Sequence, residues 1–157
     1  PEVVKLQQAH QALKYANVPV VAAVSGLALG GGCELMLHAA KRVASIESYI
    51  GLVEVGVGLI PAGGGLKEAA LRAAADAKGT DLLQFLKNYF THAATAAVSK
   101  SAHEAQKMGY LKATDVIVFT AYELLHFAKV EARAMFDAGY RAPMPPLAPV
   151  ASRYGIP

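Results

Sequence analysis

Two glutamates and a run of three glycines are the residues best placed to do chemistry in this chain. In "SGLALGGGCEL" (25–35), Gly30, Gly31 and Gly32 stand directly before Cys33 and Glu34. Glycine loses more freedom on ordering than any other residue, so a triple run calls for special backbone geometry or close approach as its reason. Glycines at the start of a helix leave the first N–H groups unpaired and facing outward, where the helix dipole adds positive potential. Gly31 precedes Glu34 by close to one helical turn, so a single loop can offer an amide donor and a carboxylate to the same ligand. A plain strand-to-helix turn explains the glycines as well. A first-turn carboxylate, favoured by up to about 1 kcal/mol, explains Glu34 as well.

Glu54 lies in "GLVEVGVG", among only Gly, Val and Leu. A carboxylate buried in such a stretch is expected to hold its proton more tightly than usual, which is the property of a general acid or base. An edge glutamate reaching solvent is the alternative. The two glutamates stand twenty residues apart, each beside a glycine-rich loop, the second being "EVGVGLIPAGGG" (54–65). That arrangement is suited to paired acid/base work.

Other chemistries fit less well. Cys33-Glu34 follows the glycine run where a phosphate-binding P-loop needs Lys and Ser/Thr, and Pro61 takes the third glycine position of a dinucleotide fingerprint begun at Gly56 and Gly58. His10, His38, His92, His103 and His126 share no metal-ligand spacing, four of them reading as helix-face residues and His92 as near a helix end, so no metal is expected. Cys33 reads as a packed thiol. Ser25-Gly26 is not a G-x-S-x-G elbow.

The elements that must carry these residues alternate. Residues 2–16 have apolar positions at helical spacing, and Asn17-Val18-Pro19 ends that helix. "VVAAVS" (20–25) is short, apolar and β-branched, as in a strand buried on both faces. After the glycine loop, "CELMLHAAKR" (33–42) reads as a helix with a basic C-terminal end. "RVASI" and "SYIGL" read as two short strands. Two helices are expected between 65 and 95, broken at Lys78-Gly79-Thr80. "SAHEAQKMG" (101–109) has a Ser N-cap, Glu104 three residues on and a closing glycine. "DVIVF" reads as a strand and 120–138 as a long amphipathic helix. The tail from residue 141 holds five of the eight prolines and reads as extended. Strand-helix alternation makes the class α/β.

At 157 residues, with 54% hydrophobic and 17% charged residues, the chain suits one globular domain and is not disordered. A net charge of +3 from dispersed basic residues suits an anionic small molecule and is too weak to argue for nucleic acid. A single cysteine allows no internal disulfide, so a reducing compartment such as the cytoplasm is expected. The longest apolar run is broken by glycine and proline and does not read as a membrane span. No signal-peptide pattern opens the chain. With Pro1 at one end and "YGIP" at the other, the chain reads as a fragment.

"VPVVAAVSGLALGGGCELML" and "YIGLVEVGVGLIPAGGG" together resemble the crotonase (enoyl-CoA hydratase/isomerase) superfamily, and the likeness continues more weakly through "SAHEAQKMGYLKATDVIV". The resemblance implies a partial ββα spiral lacking its N-terminal repeats, with residues 1–140 as a partial hydratase domain and 141–157 as a proline-rich extension. It implies an acyl-CoA thioester as ligand, a C-terminal helical region used in trimerisation, and hence a homo-oligomer. It makes Gly31 an oxyanion-hole donor and Glu34 and Glu54 the hydratase pair, with Leu29, Gly30, Val53 and Gly58 binding substrate. Val53 replaces the family's usual proline, and Ala40 its usual aspartate. "VEVGVGLIPAGGG" and "LLQFLKNYFTHAATAA" look more like a subgroup in which the hydratase region is the C-terminal part of a 3-hydroxyacyl-CoA dehydrogenase of fatty-acid β-oxidation. No cofactor is then expected in this chain, NAD belonging only to an absent dehydrogenase domain. Because the family draws its second oxyanion N–H and much of its CoA surface from a preceding segment, residues 1–157 alone are expected to hydrate poorly or not at all. A Δ3-Δ2 enoyl-CoA isomerase and a non-catalytic oligomerisation domain are the competing readings.

Overall fold

A βαβ unit occupies the centre of the molecule; Glu34 lies in the first turn of its helix and Glu54 in the turn that follows its second strand. The structure, a computed structural model, describes residues 2–78 and 80–145. β1 (Val21–Leu29), α2 (Gly31–His38) and β2 (Lys41–Gly51) form the unit, preceded by α1 (Glu2–Lys14). β3 (Val116–Val118) pairs parallel with β2 on the side away from β1, so the sheet order is β1-β2-β3. Between β2 and β3 come α3 (Gly65–Ala77), α4 (Leu82–Ala94) and α5 (Ala102–Lys107), and α6 (Leu124–Asp137) follows β3. All-parallel strands joined through helices satisfy the α/β expectation.

Pairing between distant residues moved several boundaries. β1 continues past residue 25 to Leu29, because its ladder with β2 resumes at Gly26↔Ser48 and runs to Leu29↔Gly51. The two short strands expected at 42–46 and 48–52 are one strand whose register shifts where β1 passes from Val24 to Gly26. Ser48, fully buried, closes that irregularity by donating from Oγ to the carbonyls of Ser45 (2.7 Å) and Val24 (3.2 Å). The helix expected to reach Arg42 stops at His38, and Ala39 is already extended. Arg42 belongs to β2 instead. Its guanidinium donates to Asp115 at 2.7 and 2.9 Å, and its own N–H adds a third bond at 3.1 Å. This buried pair ties the start of β2 to the entry of β3, and removing one partner of such a pair leaves an uncompensated charge.

The helix signals read from sequence stand elsewhere. Ser101 caps α5 by accepting from the Glu104 N–H, and Gly109 follows with φ of 84°. Asp81 caps α4 after a break that opens at Lys78, while Gly79 lies outside the described residues. The long C-terminal helix is a short 3-10 turn, Ala121–Glu123, followed by α6. Of the proline-rich stretch, residues 141–145 have no regular structure and the remainder lies outside the described residues.

The main core joins Val24 of β1, Cys33, Met36 and Leu37 of α2, and Ala44 and Ile50 of β2 to Ala102 and Ala105 of α5. Burying α2 by this face leaves its glycine-bearing N-terminus at the C-terminal ends of β1 and β2. Open parallel sheets bind ligands at that edge.

Candidate active site

The register of β1 and β2 explains the twenty-residue interval between the glutamates. Leu29 pairs with Gly51, so the chain leaves both strands side by side, and the Gly30 N–H donates to the Gly51 carbonyl at 2.9 Å. Beyond that point one loop enters α2 and the other enters a 3-10 turn, Glu54–Val57. Gly30 turns with φ of 53°, and its Cα faces the second loop: a Cβ there would lie 3.5 Å from Glu54 Oε1 and 3.9 Å from Val53 Cγ2. Leu29, Gly30, Gly31, Val53 and Glu54 are therefore brought together. Gly58 instead ends the 3-10 turn in a left-handed conformation and is exposed.

Gly31 is the first residue of α2, so its N–H has no acceptor within the helix. The Glu34 N–H is the one that closes the turn, onto the Gly30 carbonyl at 2.9 Å. Gly31 is exposed, and a Cβ added to it would meet nothing within 4 Å. The side-chain face of the residue expected to donate is therefore open.

Glu34 is 3% exposed and its carboxylate is fully engaged. Oε2 accepts the Gly63 N–H at 3.1 Å and Oε1 accepts the Gly65 N–H at 2.9 Å. Gly65 opens α3, so the carboxylate sits at a helix N-terminus as well as in the first turn of its own helix. Both dipoles favour negative charge there. Gly63 is needed for this approach, since a Cβ there would run into the Glu34 carboxylate, and a Cβ at Gly65 would run into Leu52 and crowd Glu34 at 3.1 Å.

Glu54 has the opposite environment. Its two carboxylate oxygens are buried and neither has a hydrogen-bond partner. Burial pushes its carboxyl above the usual range; the nearby backbone amides of Glu54 and Val53 offset part of the rise, and the charge of Glu34 adds to it. Beneath both loops, Cys33 is completely buried in the core and burial pushes its thiol up, as a packed cysteine requires.

Two features were not foreseen. The glycines of 63–65 read only as part of a glycine-rich loop, yet Gly63 and Gly65 are the anchors of Glu34; their signal is the second "GGG" directly before a helix. His10 and His38, read as ordinary helix-face residues, are 2% and 1% exposed and stack with ring centroids 4.9 Å apart. Nothing in the spacing from 10 to 38 signals that contact.

Comparison with known proteins agrees with this geometry. The family model described as enoyl-CoA hydratase/isomerase matches residues 3–115. A Bacillus subtilis protein named "Probable 3-hydroxyacyl-CoA dehydrogenase" is 44% identical over 140 residues, 89% of this chain and 18% of that protein. The "Fatty acid oxidation complex subunit alpha" of Idiomarina loihiensis is 49% identical over 63 residues, 40% of this chain and 9% of that protein. Among solved structures, an enoyl-CoA hydratase from Bacillus anthracis superposes with a TM-score of 0.64 at 25% identity, over 85% of this chain and 46% of that one. The chain thus spans under a fifth of these two curated relatives and under half of the solved hydratase.

Proposed function

From the premise that this chain belongs to the enoyl-CoA hydratase/isomerase family, we propose that it supplies the catalytic loops for adding water to a 2-enoyl-CoA thioester in fatty-acid β-oxidation. The observation that carries the reading is the contrast between two adjacent carboxylates, one with two N–H donors and one with none. Environments that push two carboxyl groups apart assign them different protonation states, and so different roles.

The thioester oxygen takes the Gly31 N–H. Glu34, ionised, removes a proton from water, and the oxygen of that water bonds to the β-carbon. The π electrons pass to the thioester oxygen as an enolate, where the Gly31 dipole opposes the new charge. One such donor is typically worth about 10²–10³ in rate. Glu54, holding its proton, delivers it to the α-carbon as the carbonyl re-forms. The product is a 3-hydroxyacyl thioester, and exchange with solvent returns a proton to Glu54 and removes one from Glu34. Leu29, Gly30 and Val53 line the approach between the loops, and Gly58 holds the turn that carries Glu54. Hydration consumes no cofactor; NAD enters only with a dehydrogenase region of the kind that the Bacillus subtilis relative's name describes.

The wider reading is an enzyme joining hydration to 3-hydroxyacyl-CoA oxidation. Exposed Phe119, Tyr122, Leu125 and Phe136, on and just before α6, support assembly into a homo-oligomer. One buried cysteine fits a reducing compartment such as the cytoplasm. No described helix is long and apolar enough to cross a membrane.

The test is the fall in enoyl-thioester absorbance when the full-length protein that carries this chain meets crotonyl-CoA. Glu34→Gln and Glu54→Gln are each expected to slow it by roughly 10²–10⁴. No hydration by the folded, unmodified protein would refute the reading and leave isomerisation or a scaffold role in its place.

A further inference from the structure

One face of α1 grips the far side of the segment that holds Glu34. Gln7, His10 and Lys14 are spaced i, i+3 and i+7, so they lie on one side of the helix. Gln7 Nε2 donates to the Ala62 carbonyl at 2.7 Å, and His10 Nδ1 donates to the Gly63 carbonyl at 2.8 Å. Lys14 Nζ pairs with Glu68, in the first turn of α3, at 2.6 and 2.8 Å. The N–H groups of Gly63 and Gly65 point the other way, onto the two oxygens of Glu34. The strap is therefore hydrogen-bonded on both sides: its carbonyls to α1 and its amides to the carboxylate.

His38 completes the clamp from α2. Its Nδ1 donates to the Glu34 carbonyl at 2.7 Å and its Nε2 lies 3.1 Å from Lys67 Nζ. A carbonyl only accepts and an ammonium only donates, so the two closest contacts suit a ring with its proton on Nδ1, while Glu68 Oε1 lies 3.5 Å from the same Nε2. Burial holds this imidazole below its ordinary value and favours its neutral form. The ring also packs against Gly64, where a Cβ would come within 2.8 Å of Cε1. His10 stacks on it at 25° between planes.

We infer that His10 and His38 are positioning residues for Glu34: the stacked imidazoles lock the 63–65 strap, and through it the carboxylate, in the orientation used on water. The inference rests on Glu34 acting as the base. His10 acts through the strap, and His38 through both the strap and the Glu34 backbone.

The experiment measures kcat and KM for crotonyl-CoA hydration by the intact protein and its His10→Leu, His10→Asn and Glu34→Gln variants, with thermal melting of each. Leucine fills the volume without a donor; asparagine keeps an N–H near the place of Nδ1. His10→Leu is expected to lower kcat about tenfold with KM changed less than about twofold, and His10→Asn to recover most of the loss, because small misplacement of a reacting group costs rate more than binding. Unchanged kcat in folded His10→Leu would overturn the inference. So would a folded His10→Asn as slow as His10→Leu, or a KM effect alone. An inactive Glu34→Gln beside a fully active His10→Leu overturns only the positioning role. An active Glu34→Gln overturns the base assignment and this inference with it.

Discussion

Glu34 and Glu54 sit on the loops that leave two neighbouring parallel strands, and their surroundings are opposite. Glu34 enters a helix and meets a second helix N-terminus, and each of its oxygens takes a backbone N–H. Glu54 enters a single 3-10 turn, and its buried oxygens find no donor. Burial without donors disfavours the charged form of a carboxylate, which raises the Glu54 carboxyl, whereas backbone N–H donors satisfy carboxylate oxygens directly. The difference teaches that a base and an acid can be made from one residue type by the packing of a single extra loop. Here that loop is residues 63–65, which reach Glu34.

The contrast can be broken at several points. The largest effect after the glutamates themselves is expected at Gly31, the first residue of α2. Gly31→Pro removes the N–H at a helix position that tolerates proline. It should lower kcat by roughly 10²–10³ while the melting temperature changes little. A variant that keeps full activity would take the oxyanion role away from this amide.

A pH profile sharpens the contrast next. In the proposed mechanism Glu54 acts in its protonated form, and its carboxyl is raised by burial. The rate should therefore fall as pH climbs through that raised value, by about tenfold per unit beyond it. A rate flat from the ordinary carboxylate range upward would remove Glu54 as the acid.

Stability gives the smallest and most direct contrast. Glu34→Gln turns an amide group toward one of two buried N–H donors and should cost about 1–3 kcal/mol. Glu54→Gln should move the other way as pH rises. A group with a raised folded pKa contributes its full stability below the unfolded value and loses it as pH passes the folded one. The melting advantage of Glu54→Gln over the parent should thus grow with pH in that window. Equal pH dependence of parent and variant would mean that Glu54 is solvated after all.

Much of this site was legible along the chain because its parts are local. The strand, glycine loop and helix of 21–38 follow from a β-branched run, a break and an amphipathic turn, and the capped helix at 102–107 follows from Ser101 and Glu104. Glu54 stands out as the lone carboxylate among apolar neighbours. What stayed hidden depends on residues far apart in sequence. The length of β1 was set by pairing with residues 48–51, and Arg42 was drawn out of a helix by Asp115, seventy-three residues away. The histidines could not be told from surface residues, because helical spacing says which face a residue takes and not what covers that face.

By itself the sequence determined which residues could do acid/base chemistry and that each would stand beside a glycine-rich loop, since turn chemistry and hydrophobic period act within a few residues. Only the tertiary structure decided which glutamate is solvated and which is not. That choice turns on N–H groups twenty-nine and thirty-one residues from Glu34, and on a helix face fifty-three residues from the strap that supplies them. Hydrogen bonding and desolvation act through distances of about 3 Å, which only the packed chain sets.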